Sequence, residues 1–307
     1  MVVSKQSHAF FYHTTCFPLS SEKDFSKENI LMDPHQAHPT TPLAMFTSLW
    51  RNRQLILQLT RRDVISRYRG SLMGLAWSFL TPLLMLVVYT FVFSVVFKAR
   101  WNINVEESKT DFAIILFTGM IVFNLFAEIV NRAPGLIVSN TNYVKKVVFP
   151  LEIFSWVTLG SVLFHSLVSL VVLLLVQIVL NHSLPWTVIF FPLVLLPLIF
   201  ASVGVAWFLA ALGVFVRDIG QLTSVFTTVL MFLSAVFYPL TSLPERYQGL
   251  LMINPLVLII TESRKVLIFG SQPDWFSLGI ALLVGFGLAA AGFWWFQKTR
   301  KGFADVL

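Results

Sequence analysis

Charge is the scarcest property of this sequence of 307 residues, because Asp, Glu, Lys and Arg together make up only 12% of it. A soluble globular domain carries about 25% of these residues. With 56% hydrophobic residues, the chain has too little charge to cover the surface of a soluble body of this size. General disorder is also excluded, since 30 Phe and 9 Trp can bury ample apolar surface.

Several kinds of chemical site are missing as well. Cys16 is the only cysteine, which excludes an intramolecular disulfide framework and a multi-cysteine metal site. The sequence contains no GxxxxGK[ST] phosphate loop, no HExxH motif and no clustered metal ligands. His165 stands alone in an apolar stretch, where a hydrogen bond to a neighbouring helix explains it more simply than a functional role. We therefore expect no enzyme activity, no metal and no cofactor bound by this chain itself.

Long uncharged stretches predict an all-α polytopic membrane protein. A helix needs about 20 apolar residues to cross the bilayer core. Asn181–Pro185 interrupts the longest uncharged stretch and separates two spans, because Asn and Pro favour turns. Six transmembrane helices are expected, over about 72–97, 112–137, 153–180, 187–214, 219–239 and 275–297.

The distribution of Lys and Arg predicts the orientation of these spans. With the N-terminus inside, the inner flanks hold twice as many Lys and Arg as the outer segments. This bias places both termini in the cytoplasm. The net charge of +7 then fits membrane lipids rather than nucleic acid.

The segments before the first span differ from one another. Residues 1–43 are predicted to form a disordered tail. If Met32 is the true start, the residues before it are not part of the protein. Residues 44–66 predict an amphipathic helix at the cytoplasmic membrane interface, with Trp50 on its apolar side and Arg51 off it. The alternative for this helix is packing on a soluble partner. Residues 67–307 form the expected transmembrane domain.

Two further segments do not fit plain spans or loops. Residues 139–150 predict a short helix that starts at capping side chains and ends at Pro150, with apolar residues available to a partner. Residues 244–270 are apolar but are interrupted by Pro244, Pro255 and a charged cluster, which is atypical of a single span.

Spaced motifs in a defined order carry a family resemblance. These are RYRGSLMGLAWSFLTP (67–82), SNTNYVKKVVFPLEI (139–153), VRDIGQL (216–222), VFYPLTSLPE (236–245), INPLVLIITESRKVLIFGSQPDW (253–275) and FADVL (303–307). From about residue 46 onward the chain resembles the membrane subunit of polysaccharide-exporting ABC transporters, the ABC type 2 permeases. Ala235 stands where many members have Pro, which predicts a milder bend in the fifth span. The tail before residue 44 is also longer than is usual.

The resemblance implies a homodimer with two separate ABC ATPase subunits, which bind the ATP and Mg. It makes 44–66 the cytoplasmic interface helix, 139–150 the coupling helix and 244–270 a re-entrant pair that closes the periplasmic end before the last span. The ATPase-docking candidates are Tyr143, Val144, Lys145, Lys146 and Phe149. The gate candidates are Glu262, Arg264 and Lys265, whose charges could alternatively face the outer surface only.

The resemblance also implies the substrate, a polysaccharide on undecaprenyl diphosphate and above all O-antigen, exported across the bacterial inner membrane. Capsular polysaccharide, teichoic acid, and drugs or small lipids are alternatives, and a passive channel or scaffold would need no coupling helix. Candidates for attracting the lipid diphosphate are Arg61, Arg62, Arg67 and Arg69, although a positive-inside anchor explains these arginines equally well. Candidate channel-lining aromatics are Tyr89, Phe93, Phe97, Phe226, Phe232, Phe237 and Tyr238, for which ordinary packing is the alternative.

Charge inside the second span predicts one further feature. Glu128 and Arg132 are four residues apart, which favours a structural ion pair near the cytoplasmic end of the span. A substrate site is the alternative, since charge within the membrane is often functional.

Overall fold

The computed structural model describes residues 40–97, 101, 109–145, 149–182 and 184–307. Within these ranges the chain is all helical and contains no β-strand, as expected. Of the predicted tail, residues 1–39 lie outside the described residues. The α-helices are α1 Pro42–Arg51, α2 Arg53–Tyr68, α3 Ala76–Tyr89, α4 Lys109–Arg132, α5 Thr141–Lys145, α6 Ile153–Asn181, α7 Phe191–Phe215, α8 Ile219–Leu233, α9 Glu245–Met252, α10 Pro255–Leu267, α11 Trp275–Thr299 and α12 Phe303–Val306.

Shorter helical turns extend several of these elements. A π-helical turn, Thr90–Val96, continues α3, and 3₁₀ turns cover Ala133–Gly135, Val138–Asn140, Trp186–Phe190, Leu240–Ser242 and Arg300–Gly302.

Five helical stretches in the described part of the chain are long and apolar enough to cross a membrane. They match five of the six expected spans and cover Ala76–Phe93, Asp111–Gly135, Ile153–Leu180, Trp186–Phe215 and Trp275–Val306. The remaining stretch, α8, has only 15 residues. At about 1.5 Å per residue it is roughly 22 Å long, shorter than a hydrocarbon core of about 30 Å.

The prediction that the fifth span reaches residue 239 is therefore wrong. The helix ends at Leu233, and Phe237 and Tyr238 lie in the segment that follows it. Ala235 adopts a left-handed backbone conformation with φ of 51°. The expectation of a milder bend at Ala235 is likewise wrong, because the chain leaves the helix there instead of bending within it.

Residues 44–66 form two helices rather than one. α1 and α2 meet at Asn52, whose side-chain amide donates to the carbonyl of Ser48 at 2.9 Å. Met45 on α1 is fully buried, whereas Trp50 is 72% exposed. The apolar stripe that predicted one interfacial helix is thus divided between the core of this chain and its surface.

The closest helix packing joins α7 and α11. A Cβ atom added at Gly292 would meet the backbone of Gly204, and one added at Gly204 would meet the backbone of Leu288. Small residues at these crossing points let the two helix backbones touch, which is how membrane helices gain dispersion contacts. Both helices return to the end of the molecule where α4 ends and α6 begins.

This close approach predicts that Gly292→Ala destabilises the chain, by roughly 1–3 kcal/mol as for other overpacked cores. Gly287→Ala is the matched control on the same helix, because a Cβ there would meet nothing within 4 Å. The control should be neutral or slightly stabilising, since Ala is the better helix former. Thermal unfolding of both variants in detergent measures the difference, and equal melting temperatures would contradict the assigned packing.

Candidate functional site

Four charged side chains meet where α2 ends beside α4. The Arg132 guanidinium donates to the Asp63 carboxylate at 2.7 Å and lies 3.6 Å from the Glu128 carboxylate. Arg67 forms a close ion pair with the same Glu128 oxygen. The predicted Glu128–Arg132 pair is confirmed, but its nearest partners, Asp63 and Arg67, come from another helix. Sequence spacing could not reveal them, because they lie more than sixty positions away along the chain.

The arginines proposed for the lipid diphosphate thus have different surroundings. Arg67 is engaged by Glu128, while Arg61, Arg62 and Arg69 are exposed along α2 and at its C-cap. Together they place a band of positive charge at this end of the helix bundle.

A cavity of about 570 Å³ opens beside this charge cluster, between α3, α4 and α6. Its lining includes Arg67, Tyr68, Asn124, Glu128 and His165. The Tyr68 hydroxyl lies 3.3 Å from Nδ1 of His165. The expected hydrogen bond of His165 to a neighbouring helix is therefore present.

Several of the candidate aromatic residues contact one another, and some of them also keep large exposed faces. Phe93 stacks on Phe237 with centroids 5.9 Å apart, and Phe237 contacts Phe232 at 5.6 Å. The Tyr238 hydroxyl donates to the carbonyl of Phe232 at 2.7 Å. Of the seven candidates, Tyr89 lines the cavity beside the charge cluster and therefore faces open space inside this chain. Phe97, Phe226 and Phe232 have large exposed faces.

The expected coupling segment, 139–150, is helical in its first part, and its described residues 149 and 150 lie outside any helix. The helical part consists of the turn Val138–Asn140 and of α5, and Lys146 lies outside the described residues, as does the side chain of Lys145. Phe149 is buried, with its ring 4.6 Å from Tyr143 and 5.3 Å from Phe154. Phe149 thus anchors the segment to its own chain, and Tyr143 and Val144 remain partly exposed.

A buried carboxylate, Glu152, connects this segment to three other elements. Its side chain accepts from Arg300 and from the Ser48 hydroxyl, both at 2.8 Å, and its backbone carbonyl accepts from the Trp207 indole at 3.0 Å. Arg300 also donates to the carbonyl of Phe149 at 2.6 Å. Glu152 therefore connects the chain leading into α6 to α1 through Ser48, to α7 through Trp207 and to the end of α11 through its ion pair with Arg300. Sequence reasoning missed this pair.

The three gate candidates have separate roles in the structure. Glu262 is 2% exposed and accepts from Lys265 at 2.7 Å and from the backbone N–H of Asp274 at 2.9 Å. Arg264 is 4% exposed and donates to the carbonyls of Ile115, Ala235 and Val236 at 2.7–3.2 Å. The buried positions of Glu262 and Arg264 rule out the alternative that these two charges only face the outer surface.

The charged guanidinium of Arg264 lies in the interior, where the surrounding protein groups compensate for the burial of its charge. Besides its carbonyl partners, its guanidinium lies 4.3 Å from the ring centroid of Trp101, a cation–π contact. Gly119 leaves room for the group, since a Cβ there would come within 2.5 Å of it. The residue ties the end of α8 to α4 and α10.

Comparison with known proteins places these features in a family. The sequence pattern of the family described as ABC-2 type transporter matches residues 54–268, well over half of the chain. The chain belongs to the ABC-2 type transporter family. This family comprises membrane components of ABC transporters rather than enzymes, so the chain is a multi-pass membrane permease.

Among curated proteins, this permease is similar to two O-antigen export system permease proteins RfbA. The one from Myxococcus xanthus is 28% identical over 86% of this chain and 100% of its own length. The one from Klebsiella pneumoniae is 25% identical over 82% of this chain and 95% of its own. The polysialic acid transport protein KpsM of Escherichia coli is 24% identical over 72% of this permease and 82% of its own length.

The charge cluster of the permease predicts a pH-dependent stability. Partial burial raises the pKa of Asp63, but the hydrogen bond and charge of Arg132 outweigh burial and hold it below its ordinary value of 3.8. Such a carboxyl stabilises the fold above the unfolded-state pKa and loses this effect as pH falls through the lower folded-state pKa. Asp63→Asn should therefore cost roughly 0.5–1 kcal/mol at pH 7 and less below about pH 4.

Melting in detergent over a pH series checks this expectation, with Asp218→Asn as the control. Asp218 is exposed at the start of α8 and gives its helix no side-chain cap. If the difference in melting temperature between Asp63→Asn and the unmodified permease persists unchanged to pH 3, the stabilising role assigned to the Asp63 carboxylate is contradicted.

The buried guanidinium predicts a larger effect. Arg264→Met would leave the carbonyls of Ala235 and Val236, which lie outside a helix, without their donor, at about 1–3 kcal/mol for each buried group left unsatisfied. We expect lower melting temperatures and faster proteolysis after α8. Arg246→Met, an exposed arginine on α9, is the control and should change neither. Equal proteolysis of both variants would show that Arg264 does not hold the end of α8.

Proposed function

We propose that this chain is the membrane subunit of an ATP-driven ABC exporter that moves polysaccharide linked to undecaprenyl diphosphate from the cytoplasmic to the periplasmic side of the bacterial inner membrane. The observation that carries the proposal is the near full-length similarity to export permeases, which spans 95–100% of the two RfbA relatives. O-antigen is the favoured polymer, because the RfbA protein of Myxococcus xanthus is 28% identical to this chain, whereas the KpsM and CtrC relatives are 24–25% identical.

The proposed topology has six membrane-crossing segments and both termini in the cytoplasm. α8 supplies the sixth crossing. The turn that follows α8 is held by Arg264 and covers part of the membrane thickness, so the helix itself is shorter than a full span. α9 and α10 form the re-entrant pair. The many buried residues of α10 support this, because a non-spanning helix is tolerated at membrane depth when it is buried in protein.

The proposed assembly is a homodimer with two copies of an ABC ATPase, which bind the ATP and Mg. The aliphatic residues of α8 support contact with a second copy, since Leu222, Val225 and Val229 are all more than half exposed. The segment around Tyr143 and Val144 is the ATPase-docking site. The exposed Trp50 supports a position of α1 at the inner membrane interface.

The proposed path for the substrate begins at the arginine band. Guanidinium groups form charge-assisted hydrogen bonds with phosphate, and Arg61, Arg62 and Arg69 are exposed to supply them. Arg67 joins them only when Glu128 releases it. The exposed rings of Phe97, Phe226 and Phe232 offer flat apolar faces to a polymer that must slide past.

Deletion of the gene, followed by analysis of lipid-linked glycan, tests the function. We expect finished glycan to accumulate on the cytoplasmic side of the inner membrane, and loss of surface O-antigen with capsule retained. Loss of capsule with O-antigen retained would redirect the proposal to capsule export, for which the KpsM and CtrC relatives are the support. An unchanged glycan profile would reject polysaccharide export.

A triple variant, Arg61→Gln/Arg62→Gln/Arg69→Gln, tests the arginine band. Export should fall at least tenfold if three phosphate contacts are lost, each contact being worth about 1.5–3 kcal/mol as a charged hydrogen bond. Protein level and co-purification of the ATPase should not change. Arg246→Gln is the matched control, and normal export by the triple variant would count against the diphosphate role.

A further inference from the structure

The second transmembrane helix, α4, carries a polar stripe on its one open face. Over its apolar length 83% of α4 is buried inside the chain. Asn124, Glu128 and Asn131 interrupt that burial at intervals of four and three residues, which places them on one side of the helix. Asn124 and Asn131 are exposed, although Asn124 lies well inside the apolar stretch.

An open face of this kind is not suited to lipid. Hydrocarbon offers no hydrogen-bond partner, and an amide transferred into it without one costs several kcal/mol on alkane scales. Polar groups at membrane depth therefore face water-filled or ligand-filled space. The stripe meets this condition, because all three residues line the cavity between α3, α4 and α6.

The cavity has the size of a small-molecule site. Its volume of about 570 Å³ lies within the range of about 300–1,000 Å³ that is typical of ligand pockets. The wall opposite the stripe supplies further polar groups from α6, namely Ser166 and His165. Nε2 of His165 is buried and has no hydrogen-bond partner among the described residues, so this atom can form a hydrogen bond with a ligand.

The two charged side chains of the cavity lining are paired with each other and leave no free charge there for an ionic ligand. Arg67, the only cation among the described residues of the lining, is paired with Glu128 in the same wall. The remaining polar groups are amides, hydroxyls and an imidazole, which donate to and accept from hydroxyls. Met85, Tyr89 and Phe117 add apolar and aromatic surface to the lining. Neutral hydrogen-bonding groups next to an aromatic face are suited to a sugar ring.

We propose that this cavity binds an uncharged, hydroxyl-rich group, the sugar residue next to the diphosphate of the lipid-linked substrate. This inference rests on the proposed function, which assigns the diphosphate to the arginines at the end of α2. Arg67 lies both on that helix and in the cavity wall, so the first sugar would enter the cavity while the diphosphate stays at the arginine band. The cavity would thereby distinguish a glycan-bearing lipid from the bare carrier.

The test compares three lipid probes on the full-length permease, purified with its ATPase and reconstituted in nanodiscs. The probes are undecaprenyl diphosphate bearing one sugar, undecaprenyl diphosphate without sugar, and phosphatidylglycerol, which offers hydroxyls without a glycan. Asn124→Leu should weaken binding of the sugar-bearing probe roughly tenfold, as expected for a lost hydrogen bond together with a desolvated hydroxyl. Binding of the other two probes should not change.

Gln58→Leu, which replaces an exposed amide on α2, is the matched control and should bind all three probes as the unmodified permease does. Melting temperatures of both variants should equal that of the unmodified permease, which separates a binding defect from misfolding. If Asn124→Leu has a lower melting temperature than the unmodified permease, Asn124→Asp is tested in the same assay in its place.

The remaining outcomes each overturn the inference. Unchanged binding of the sugar-bearing probe would show that the cavity does not hold the sugar. Equal losses for both diphosphate probes would place the effect at the diphosphate, and a loss confined to phosphatidylglycerol would identify a phospholipid headgroup site. An unmodified permease that binds neither diphosphate probe would instead reject the proposed function, and the cavity assignment with it.

Discussion

The constraint on which the whole structure depends is that polar groups in an apolar surrounding must find their partners within the protein. Arg264 shows how the chain meets it. The end of α8 frees backbone carbonyls at Ala235 and Val236, and the buried guanidinium satisfies both while reaching Ile115 on α4. The same residue that carries a charge into the interior therefore allows a helix to stop there.

The same constraint explains where the other charges lie. At the opposite end of the bundle Glu152 and Arg300 pair in the interior, and further donors from Ser48 and Arg300 cover the remaining acceptors. These contacts connect the segment after α5 with α1 and with the end of α11. If an ATPase docks on that segment, any movement that it imposes acts on α1, α7 and α11 together.

Much of the fold could be predicted because apolar composition and length are local properties of a membrane helix. The third expected span, 153–180, differs from α6 by a single residue at its end. The end of the fifth could not be predicted in the same way, since residues 234–239 carry no charge and the contacts that hold the turn after α8 come from Arg264 on α10. For the candidate site, the sequence identified Glu128 with Arg132 and the importance of Arg264, but not Asp63, Arg67 or Glu152 as partners.

The sequence by itself determined the class of protein, the positions of the long helices and the family. These follow from runs of apolar residues and from motifs that are contiguous in the chain. Only the tertiary structure decided which charges pair, where α8 ends and that Asn124 faces a cavity. The physical reason is that these features depend on contacts between residues distant in sequence, such as Arg264 with Ile115, which no local pattern encodes.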